Sequence, residues 1–124
     1  SGHLLNEARE AMLLQRVALG GDAMSAREAL EIATIGGAQV LGRSDLGSLE
    51  IGKRADFAAF DGTAIDMAGA WDNVAALVLC GPARASHTVV EGRAVVRDGQ
   101  LCTIDLPRTM ESHQALTKKL MENS

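Results

Sequence analysis

From Leu4 to Leu19 the apolar residues Leu4, Leu5, Ala8, Met12 and Leu13 recur at spacings of three and four, with Glu7, Arg9, Glu10 and Arg16 mostly between them. That period places the apolar set on one face of an amphipathic helix. Gly20 and Gly21 are free to take positive φ and predict its end, and a short link through Met24 leads onward. Ser25 and Glu28 form a capping-box pair, each side chain satisfying a backbone N–H, so a second helix is predicted from Ser25 to Gly42. Its face of Ala26, Ala29, Leu30, Ala33, Gly37, Val40 and Leu41 is built largely from small residues. Gly36, Gly37 and Ala38 predict close packing on a partner surface, at a cost of roughly 1 kcal/mol per interior glycine.

After Gly42 the pattern changes to short apolar runs separated by Gly and Asp, which predicts strands. The candidates are Phe57–Phe60, Val74–Cys80, Thr88–Val90, Ala94–Val96 and Leu101–Ile104. Asp98-Gly99 is a strong type I′ hairpin signal and Glu91-Gly92 a weaker one, so residues 86–104 are expected to form a meander. Pro107 lacks an N–H and fits a first helical turn. It opens a polar helix through Met121 with Met110, Leu116 and Leu120 on its apolar side.

The chain has 124 residues, 47% hydrophobic and 23% charged, enough for one compact core and too few for two ordinary domains. A formal charge of −4 without a basic stripe argues against nucleic-acid binding. The longest apolar run, Val74–Cys80, is far below the roughly 20 residues that span a bilayer, so no transmembrane helix is expected. Cys80 and Cys102 lie far apart in apolar runs and predict buried thiols in a reducing, cytoplasmic setting. Aromatic residues make up 2% of the chain, which leaves almost nothing for stacking on bases or sugars. The first residue is Ser1 and no signal peptide is evident, so an excised piece or a tagged chain is expected.

The residues that could carry chemistry are scattered. His3, His87 and His113 form no HxH or HExxH spacing, whereas a hydrolytic zinc site needs three or more converging ligands. His87 reads as a half-exposed strand residue and His113 as a solvated helix residue. There is no GxSxG elbow, and the Gly-rich pieces match neither GxGxxG after a strand nor a phosphate loop. Gly52-Lys53-Arg54 reads as a solvated basic turn, with Asp56 hydrogen-bonding local backbone N–H groups.

Three separated stretches nevertheless agree in order and spacing with one family. ALEIATIGGAQVLG, DLGSLEIGKRADFAAFD and HTVVEGRAVVRDGQL together resemble the C-terminal part of the amidohydrolase superfamily, in its cytosine and guanine deaminase and chlorohydrolase branch. Ala33, Thr34, Gly37 and Ala38 match the family's helix segment, and Gly47, Leu49, Gly52, Lys53, Ala55 and Asp56 match the segment after it. Gly92, Asp98 and Gly99 match its closing hairpins, so the resemblance covers roughly residues 25–104. The stretch SGHLLNEAREAMLLQRV further resembles the segment after the last barrel strand in 8-oxoguanine deaminases, relatives of hydroxyatrazine-processing aminohydrolases.

The resemblance implies an α+β fragment. Residues 1–42 would be the last helices of a metal-dependent TIM-type (β/α)8 barrel, residues 43–105 the late strands of a small β-sandwich, and residues 106–124 a C-terminal helix. It implies a parent enzyme that hydrolytically deaminates a purine-like ring such as 8-oxoguanine or guanine, or a triazine. In that family a divalent metal, zinc or iron, lowers the pKa of bound water, and the hydroxide attacks an amidine-like ring carbon to release ammonia. The metal is held by an HxH pair after the first barrel strand, histidines after the fifth and sixth, and an Asp at the end of the eighth that acts as general base. No residue here matches those positions, so no catalytic residue and no metal ligand is assigned to this chain, and none of Asp22, Asp45, Asp56 and Asp61 is promoted to catalyst. By the resemblance, Ser1, Gly2 and His3 follow the eighth-strand loop and are expected at the rim of the pocket.

Two other classes remain open. An independent β-rich binding or carrier module is one, although a lipoyl-type carrier would need a Lys at a hairpin tip, where Glu91-Gly92 and Asp98-Gly99 stand. The other is a protein that assembles through exposed sheet edges, since unpaired N–H and C=O groups and uncovered apolar faces favour association of copies. A homo-oligomer is therefore expected.

Overall fold

The computed structural model describes residues 3–80 and 83–122. Helix α1 spans Leu4–Leu19, with Glu7 in its first turn and Arg16 in its last, where each charge complements the helix dipole. It ends at Gly20, which takes φ +110° and returns its N–H to the Arg16 carbonyl at 3.0 Å. The Arg16 guanidinium folds back and donates from Nε to the Met24 carbonyl at 2.8 Å, fixing the link between the first two helices.

Ser25 begins the next helical segment with a complete capping box: its side chain accepts the Glu28 N–H, and the Glu28 carboxylate accepts the Ser25 N–H at 2.7 Å. Helix α2 spans Ala26–Glu31 and α3 spans Gly37–Val40. Between them Ile32–Gly36 is wound as a π-helix, so the expected single helix to Gly42 carries a wide turn at its centre. The Thr34 hydroxyl donates to the Leu30 carbonyl at 2.7 Å inside this turn.

The run Val74–Cys80, expected as a strand, is instead helix α4, Asn73–Leu79. Asp72 is its N-cap and accepts from the Val74 and Ala75 N–H groups at 2.8 and 3.1 Å. A seven-residue apolar run fits a buried strand or a buried helix equally by periodicity, and here the cap decides. Helix α4 packs against both α1 and α2, and Ala8, Met12, Ala26, Ala29 and Val78 are buried where the three meet. Met12 and Val78 are 0% and 1% exposed. Burying side chains of this size contributes about 1.5–3 kcal/mol each.

The second layer is a four-stranded antiparallel sheet in the order β1-β2-β3-β4, with β1 at Phe57–Ala59, β2 at His87–Val90, β3 at Arg93–Arg97 and β4 at Gln100–Leu101. Phe57 pairs with Val89, Val90 with Arg93, and Arg97 with Gln100. Strands β2 to β4 are the expected meander, and both of its turns have the positive φ that a type I′ hairpin demands, at Glu91-Gly92 (50° and 76°) and Asp98-Gly99 (51° and 74°). The last strand stops at Leu101, short of the expected Ile104. Cys80 and Cys102, expected to be buried, are free and exposed, one at the C-terminal end of α4 and the other just past β4. Helix α5, Leu106–Glu122, closes the chain with no buried residue.

Candidate functional site

A cavity of about 650 Å³ lies between the helices and the sheet. Leu4, Leu30 and Leu77 line it from the helical side, Phe60 and Val96 from the sheet side, and His3 and the exposed Arg84 add polar groups. His3 stands at the N-cap of α1, where its carbonyl accepts the Asn6 and Glu7 N–H groups at 2.9 and 3.3 Å. Its ring Nδ1 is buried with no hydrogen-bond partner among the described residues. Ser1 and Gly2, the other two residues expected at the pocket rim, lie outside the described residues.

The loop between α3 and β1 is held at both ends. Gly47 takes φ +89° and rests on the π-turn so closely that a Cβ there would stand 2.9 Å from Ile35 Cα and 3.1 Å from both Ala38 Cβ and the Thr34 carbonyl oxygen. The small-residue face expected to meet a partner surface thus meets this loop. Asp45 accepts both arms of Arg43, at 2.9 and 2.6 Å, and Nε of Arg54 at 2.9 Å. Arg54 also pairs with Glu91 at the β2–β3 turn. Asp56 accepts the Glu91 N–H at 2.6 Å across 35 residues, so it ties the loop to the hairpin rather than capping a local turn as expected. The basic turn is also more tied down than expected, since Lys53 Nζ donates to Ser48 Oγ at 2.5 Å and Glu50 Oε1 at 2.9 Å.

These contacts set the electrostatics. Hydrogen bonds from Arg43 and then Arg54 hold the Asp45 carboxyl well below its ordinary range, and the same contact raises the Arg43 guanidinium. The Ser25 N–H lowers Glu28, the Ser48 hydroxyl lowers Glu50, and the Thr63 hydroxyl lowers Asp61. A general acid at neutral pH needs a raised carboxyl. Glu28, Asp45, Glu50 and Asp61 all move the other way.

The three histidines stay apart. His87 begins β2 with Nδ1 3.3 Å from Ser86 Oγ and Nε2 3.6 Å from Asp98 Oδ1, and His113 is exposed on α5. Among the described residues no group of three or more His, Cys, Asp or Glu side chains converges to hold a metal ion. The metal implied by the resemblance therefore does not fit these residues. The ion network was not anticipated from the sequence, although three acidic and three basic residues cluster between Arg43 and Asp56 around Gly47 and Gly52, two glycines that turn the loop.

The amidohydrolase family pattern matches residues 1–95. The chain belongs to the amidohydrolase family. This amidohydrolase chain is 37% identical to the 8-oxoguanine deaminase of Pseudomonas aeruginosa over 121 residues, which covers 98% of the chain and 27% of that protein. It is 35% identical over 124 residues to a 5-methylthioadenosine/S-adenosylhomocysteine deaminase of Desulforudis audaxviator, covering 98% of the chain and 29% of the relative. In structure it superposes on the atrazine chlorohydrolase of Arthrobacter aurescens TC1 complexed with zinc, with a TM-score of 0.82 at 36% identity over 90% of this chain and 26% of that one. An adenosine deaminase from Xanthomonas campestris with bound zinc gives a TM-score of 0.87 at 25% identity over 95% of this chain and 28% of that one. The chain thus spans between a quarter and a third of each of these relatives. Among the described residues no helix is long and apolar enough to cross a membrane.

Proposed function

We propose that this chain is the C-terminal portion of a metal-dependent amidohydrolase that hydrolytically deaminates a purine-like ring, 8-oxoguanine or guanine, with a triazine ring as the alternative substrate class. The observation that carries this reading is the 37% identity to an 8-oxoguanine deaminase along nearly the whole chain. In this reading residues 1–42 are the last barrel helices, residues 43–105 belong to the β-sandwich and residues 106–124 form a terminal helix. The divalent metal, zinc or iron, is held by residues of the parent enzyme outside this chain, and the chain alone has no turnover. Ser1, Gly2 and His3 border the substrate pocket of the parent, and the buried unpartnered Nδ1 of His3 supports a polar contact there. His3→Ala in the parent enzyme raises KM for the ring substrate, and unchanged kinetics would remove His3 from the pocket.

The direct test is a chimera in which this chain replaces the matching quarter of the Pseudomonas aeruginosa 8-oxoguanine deaminase. The proposal expects zinc binding and ammonia release from 8-oxoguanine. A folded chimera that releases ammonia from 8-oxoguanine, guanine and aminotriazines no faster than the uncatalysed reaction would overturn it.

A further inference from the structure

We draw no further inference here: the strongest candidate, the Ser86–His87–Asp98 side-chain cluster where β2 begins beside the β3–β4 turn, carries nothing because the Ser86 hydroxyl donates to the Ala59 carbonyl at 3.1 Å and so has no proton to give His87.

Discussion

Replacing Gly47 by alanine tests how the helical layer and the sheet are joined. Two costs combine at this position. With φ at +89° the new side chain sits in the left-handed region, which costs about 1–2 kcal/mol for a residue with a Cβ. That Cβ would also stand 2.9 Å from Ile35 Cα and 3.1 Å from the Thr34 carbonyl oxygen. Both are backbone atoms of the π-turn and cannot swing aside, and overpacking of this kind costs about 1–3 kcal/mol more. Gly52 supplies the control, since it has φ +90° but nothing within 4 Å of its Cβ position. Gly52→Ala should therefore lose the backbone cost alone. Urea unfolding at neutral pH, followed by far-UV circular dichroism, should place Gly47→Ala about 1–3 kcal/mol below Gly52→Ala. In a thermal scan the gap corresponds to roughly 4 °C per kcal/mol for a domain of this size. Equal stability of the two variants would refute the claim that the loop seats directly on the π-turn.

Three further outcomes follow from the packing and the charges. Asp72→Ala removes the cap that makes Asn73–Leu79 a helix and should lower stability by about 1 kcal/mol in thermal unfolding, where no loss would show the cap to be idle. Met12→Ala opens the junction of α1, α2 and α4, where Met12 is 0% exposed, and should cost about 2–5 kcal/mol by urea titration. The Asp45 carboxyl lies below its ordinary value of 3.8 in the folded chain. Its ion pairs therefore stabilise the fold above that pH and are lost as pH falls through it toward the lowered folded value. Asp45→Asn should flatten the loss of stability below about pH 4, and an acid-unfolding curve unchanged by the substitution would contradict that role.

Much of the fold was legible because local signals and tertiary packing agree. The Ser25–Glu28 capping box and the Asp98-Gly99 turn act over a few residues, and the structure keeps both. Val74–Cys80 was misread because its residues are apolar throughout and show no period. Asp72 was the available signal, a capping residue placed just before the run. The π-turn leaves no mark of its own in sequence, and Gly47, which seats against it, lies ten or more residues further on. Asp56 likewise looked local, yet its partner is the Glu91 N–H, brought near only when β1 pairs with β2. The exposed Cys80 and Cys102 show that an apolar neighbourhood in sequence does not bury the thiol at the end of an element. At the site, the sequence assigns His3, His87 and His113 to different elements, whereas the cavity beside His3 depends on how the two layers meet.

The central claim is that this amidohydrolase chain supplies framework while the reacting centre of the parent enzyme lies in the remainder of that protein. The most direct measurement is the metal content of the purified chain after equilibration with zinc and desalting, taken together with ammonia release from 8-oxoguanine and guanine. The account predicts no retained zinc and no turnover. Stoichiometric zinc with ammonia release would contradict it, because among the described residues no group of three or more His, Cys, Asp or Glu side chains is placed to hold a metal ion.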